Sequence, residues 1–140
     1  MRRGVLIFLF AFIATVRADP AISKPTPYVG FNVADGKIFE LEIPADRILR
    51  TPTWDIIDDT PPLPVGRATR LATEQFRRLV GHPEQWKRDR IILKEYGGSG
   101  HWVYIVAFRP VNPKSGSDVP FEIVVLMDGT VGEPVIREKK

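Results

Sequence analysis

Cysteine is missing from this chain, and that one absence excludes disulfide stapling, a thiol nucleophile, cysteine-ligated metal and lipid attachment at a lipobox. Histidine is scarce. His82 and His101 are the only two, and they lack the helical or clustered spacing of metal ligands. No Asn-x-Ser/Thr acceptor occurs, because Asn32 and Asn112 both lack a hydroxyl residue two positions on. No serine sits in a nucleophile-elbow context. The longest apolar run, Val5 to Val16, falls short of the roughly 20 residues that cross a hydrocarbon core. The Gly97-Gly98-Ser99-Gly100 run is no phosphate cradle, since such loops feed a helix and this one joins two strand-like stretches. Nothing in the chain calls for a cofactor or a metal.

The short apolar run is read instead as an export signal. Arg2 and Arg3 form a basic start, Val5 to Val16 the apolar middle, and Val16-Arg17-Ala18 the approach to a cut after Ala18. The expected product is periplasmic or secreted, with no membrane span once the signal has gone; an uncleaved anchor is the alternative. About 120 residues then remain, enough for one domain with its own core. The charge balance changes too. The whole chain has 20 basic and 17 acidic side chains and a formal net charge of +3, but the entire excess is Arg2, Arg3 and Arg17. The domain is therefore neutral, and its charge does not point to nucleic acid.

Residues 19–27, with Pro20, Pro25 and Pro27, read as an extended lead-in. A single domain follows over 28–140. Tyr28–Val33 and Lys37–Ile43 are expected strands around Ala34-Asp35-Gly36. In the second, Phe39, Leu41 and Ile43 alternate with Ile38, Glu40 and Glu42, the pattern of a half-buried strand. Pro44 to Pro64 holds five prolines and reads as a surface connector that tucks Trp54 against the domain, with Ile56 and Ile57 too apolar for free solvent.

Val65 to Val80 takes a helical period. Ala68, Leu71, Ala72, Phe76, Leu79 and Val80 share one stripe, and Gly81 with Pro83 ends it. Arg67, Arg70, Glu74, Arg77 and Arg78 fall opposite; Arg70 and Glu74 are spaced to pair. Arg90–Tyr96, His101–Phe108 and Phe121–Leu126 are expected strands. Asp128-Gly129 is expected to close a last hairpin, into Thr130–Ile136, through a turn with positive φ at both central residues. The middle strand is apolar on both faces, Trp102, Tyr104, Val106 and Phe108 against Val103, Ile105 and Ala107. Both its faces must be covered, by the helix, the connector or a partner.

The expected fold is thus α+β: one main helix on a four- to six-stranded antiparallel meander, preceded by an N-terminal β-hairpin. A helix with Ala68 and Ala72, the aromatic strand Trp102/Tyr104/Phe108 and the Asp-Gly hairpin together resemble the small exported PepSY-like and cystatin-like α+β domains. The resemblance spans about Pro62 to Ile136. It implies a domain that binds or restrains other proteins. The cystatin inhibitory loop, Gln-x-Val-x-Gly, is absent.

A protein or peptide partner is therefore the expected ligand, of a non-catalytic interaction domain. The residues placed to meet it are Trp54, Gly98, His101, Trp102, Tyr104, Asn112 and Lys114. Two alternatives stand beside it. One is an inhibitor of a secreted or periplasmic peptidase, acting through the Gly98 tip or the loop from Val111 to Asp118. The other is a small enzyme built on Asp55, Asp58 and Asp59, which lack the ligand spacing of a calcium loop.

Overall fold

The computed structural model describes residues 25–113 and 119–138. The proposed signal, most of the lead-in and Lys114 lie outside the described residues. Strands β1 (Tyr28–Ala34) and β2 (Lys37–Ile43) form a hairpin. A short helix α1 (Ala45–Leu49) and the main helix α2 (Val65–Leu79) follow. Then come β3 (Trp86–Glu95), β4 (Trp102–Pro110), β5 (Phe121–Leu126) and β6 (Val135–Glu138). The α+β class and the single main helix are as expected. The single meander is not: the strands form two three-stranded antiparallel sheets, ordered β1-β2-β6 and β3-β4-β5.

The split occurs just after β5. Leu126 donates to the Thr130 carbonyl, Gly132 donates to that of Val124, and Val125 bridges Val131. That much is the expected hairpin. Pro134 then lacks the N–H a longer ladder would use, and the chain crosses to pair β6 with Lys37–Glu40 of β2. Gly132 permits the crossing, because a Cβ there would sit 2.9 Å from Leu41 Cδ1. The turn also differs from expectation. Only Gly129 has positive φ at Asp128-Gly129, whereas Asp35 and Gly36 are both positive. The two-residue hairpin turn is thus the first Asp-Gly pair.

Helix α2 buries Ala68, Ala72 and Phe76 as its stripe requires. The small alanines let it lie close to the sheet, and Phe76 stacks on Phe108 with ring centroids 4.1 Å apart. Gln75 is also buried. The helix stops at Val80, and the next amide, of Gly81, donates to Asp35 Oδ2 at 2.8 Å. The tip of the first hairpin thereby satisfies a group beyond the helix end. Among the described residues, Arg70 and Glu74 make no ion pair.

Strand β4 is buried from Val103 to Phe108. On one face Tyr104, Val106 and Phe108 join α2, Leu63, Phe39 and Phe121. On the other, Val103 and Ile105 meet Leu41, Ile43 and Ile48. The second face is thus covered by the N-terminal hairpin and by Ile48 of α1. Trp54 does not cover it. Its ring meets Trp102 edge to face, centroids 5.5 Å apart, on the helix side of the sheet. The connector contributes to the second face through Ile48, in a short helix that fits between Pro44 and Pro52.

Candidate binding groove beside strand β3

Helix α2 covers β4 and β5 but leaves the flank of the sheet at β3 less protected. There the connector runs past β3, and between them opens a groove of 580 Å³. Ile91, Leu93 and Tyr104 line the sheet side, and Trp54, Ile56, Pro61, Pro64 and Val65 the connector and helix side. Asp58 and Asp59 stand at its margin. Ile56 is 67% exposed and Ile57 84%, so the expectation that both are sheltered fails. A turn explains their exposure: Asp55 Oδ1 accepts from the Ile57 amide, and the Asp55 carbonyl accepts from that of Asp58. The turn holds the segment away from the body of the domain, with Ile56 at the groove and Ile57 outside its lining.

The aromatic end of the groove is fixed by three contacts. Trp102 Nε1 donates to the Trp54 carbonyl at 2.8 Å, the Trp54 amide donates to the Gly100 carbonyl at 2.9 Å, and Thr53 bridges His101. A smaller pocket bounded by Trp54, Ile56, Glu95, Gly100 and Trp102 continues from it. The Tyr104 phenol donates to the Leu63 carbonyl at 2.9 Å, tying the floor to the entry of α2. Burial pushes its pKa above the ordinary tyrosine value.

Of the residues singled out in the sequence, Trp54, Trp102 and Tyr104 lie together here, with His101 beside them. Tyr104 is only 2% exposed and serves as floor rather than contact rim. Gly98 stands at the exposed tip of the β3–β4 hairpin, and Asn112 is exposed on the loop after β4, in neither groove lining. The sequence reading missed Ile91, Leu93, Pro61, Pro64 and Val65. Two signals pointed to them: the adjacent isoleucines and leucine of β3, and the prolines that keep the connector extended.

A second apolar surface lies on the outer face of β1, where Val29, Phe31 and Val33 are exposed. It is interrupted by Glu42 opposite Val29 and Glu40 opposite Phe31 on the neighbouring strand. Asp55, Asp58 and Asp59 are all exposed, and Asp55 is engaged in its own turn. Among the described residues no three His, Asp or Glu side chains are grouped to hold a metal ion, and no helix is long and apolar enough to cross a membrane. Comparisons with protein-family models, curated proteins and solved structures give no match to this chain.

Proposed function

We propose that this protein is an exported, non-catalytic interaction domain that holds an apolar segment of a partner protein in the groove beside β3. The leader-like start, Arg2 to Ala18, supports export. One observation supports the site: a concave, mainly apolar cleft is floored by Ile91, Leu93 and Tyr104, with Ile56 held exposed at its mouth. Concave apolar clefts with a few polar groups at the margin are the usual form of binding sites, and an exposed isoleucine there gains by burial against a partner.

Two neighbouring substitutions test this reading. Ile56→Asp and Ile57→Asp both alter exposed residues, so neither should move the unfolding midpoint appreciably. Linear peptides selected from a displayed random library on the unaltered protein should lose about tenfold or more in affinity for Ile56→Asp, where a charge must be desolvated. They should bind Ile57→Asp unchanged. No enriched peptides, or equal losses in both variants, would refute the groove as the site.

A further inference from the structure

We infer that the bound segment adds to the sheet as an additional strand along β3, with apolar side chains at alternate positions in the groove and acidic ones between them. This rests on the groove being the binding site. It starts from a difference between the two edges of the β3-β4-β5 sheet.

The outer edge of β5 is closed. Its outward backbone groups fall at Glu122, Val124 and Leu126, and each of these residues has a partner. Asn32 pairs with both groups of Glu122, Gly132 donates to the carbonyl of Val124, and Thr130 accepts from the amide of Leu126. The outer edge of β3 is not closed in this way. Tyr96 donates to His101 across the hairpin, and with Lys94 opposite Val103 and Ile92 opposite Ile105, antiparallel alternation turns the N–H and C=O of Ile91, Leu93 and Glu95 outward. Among the described residues β3 pairs with β4 alone. Exposed edges of this kind are templates for strand addition.

The same alternation sends the Ile91 and Leu93 side chains to the groove face, where both pack against the core that contains Tyr104. An incoming residue opposite Leu93 would share that face, as would the residue two positions away. Backbone pairing and groove filling therefore require the same register. The register shift between Arg88 and Arg90 breaks the ladder at the other end, which confines the receptive stretch to the part beside the groove.

Charge selects the occupant. Lys87, Arg88, Arg90 and Lys94 outnumber Asp89 and Glu95 along β3, so two copies of this strand carry the same net positive charge and pair less favourably than β3 does with an acidic strand. A foreign strand with acidic side chains on the face away from the groove meets Lys94 instead. Asp58 and Asp59 at the margin oppose acidic side chains on the groove face.

The test uses the peptides enriched by library selection on the full chain, resynthesised with single backbone N-methyl groups. Alternating apolar and acidic residues should dominate the enriched set. Methylation at every second amide should weaken binding about tenfold, as expected for loss of one strand hydrogen bond, while methylation of the intervening amides should leave it within about twofold. Peptides that bind, lose affinity for Ile56→Asp and ignore methylation would overturn strand addition while leaving the groove in place. Absence of any enriched peptide would remove both. A concentration-dependent dimer that competes with the peptides would assign the edge to a second copy and overturn the foreign strand.

Discussion

The side-chain amide of Asn32 exchanges two hydrogen bonds with the backbone of Glu122. Its Nδ2 donates to the Glu122 carbonyl at 2.9 Å, and its Oδ1 accepts from the Glu122 amide at 2.7 Å. One carboxamide thus does for β5 what a residue of a neighbouring strand would do. It pins the first hairpin against the second sheet. Asn32 is 5% exposed, so water is a poor substitute for either bond.

Asn32→Ala should therefore destabilise the fold by about 2–3 kcal/mol, since two partly buried backbone groups lose their partner. Asn32→Asp keeps the acceptor but loses the donor and buries a carboxylate, so it should be at least as damaging at neutral pH. Urea unfolding of the two variants measures this. A change within about 0.5 kcal/mol for both would mean that the bridge is not what holds the sheets together.

Asp128 links the turn after β5 to α1. Burial alone would raise its pKa, but hydrogen bonds from Thr130 and the nearby Arg47, at 3.1 Å, outweigh it and hold the carboxyl below the ordinary 3.8. A lowered pKa stabilises the fold fully above the unfolded value and loses that contribution as pH falls through the folded one. The side chains are partly exposed, so the contribution is modest, about 0.5–1 kcal/mol. Asp128→Asn should cost that much at pH 7 and nothing at the acid end. A penalty that is independent of pH would contradict the ionic account.

Gly132→Ala places a methyl group 2.9 Å from Leu41 Cδ1 and 3.3 Å from Ile43 Cδ1, where both side chains are buried. Overpacking should cost about 1–3 kcal/mol. Gly36→Ala meets no atom within 4 Å and tests backbone strain alone at φ +73°; its expected cost is about 1–2 kcal/mol. Thermal unfolding of the pair separates the two causes. Equal stability of Gly132→Ala and the parent would show that the crossing does not need glycine.

Local pattern made much of this fold legible. The stripe from Ala68 to Val80, the alternation of Phe39, Leu41 and Ile43, and the doubly apolar β4 all report which side of an element is covered. None reports by what. A strand that alternates reads the same whether its inner face meets a helix or a second sheet, so the division into two sheets was hidden. It depends on Pro134 ending one ladder and on Asn32, whose polarity looks like a loop residue's until its partner on β5 is known. Strand β1 misleads further: Val29, Phe31 and Val33 face outward, while Asn32 and Ala34 are buried. The aromatic end of the groove was legible through Trp54 and Trp102. Its floor was not, because Ile91, Ile92 and Leu93 are contiguous and only the pairing register says which of them turn to the groove.

Amide hydrogen exchange along β3 in the unliganded protein is the most direct measurement of the central claim. The N–H groups of Ile92 and Lys94 point to β4 and should be strongly protected. Those of Ile91 and Leu93 should exchange far faster and slow down when a selected peptide is added. Equal protection of all four without peptide would mean that the edge is already occupied, and the receptive strand proposed here would not exist.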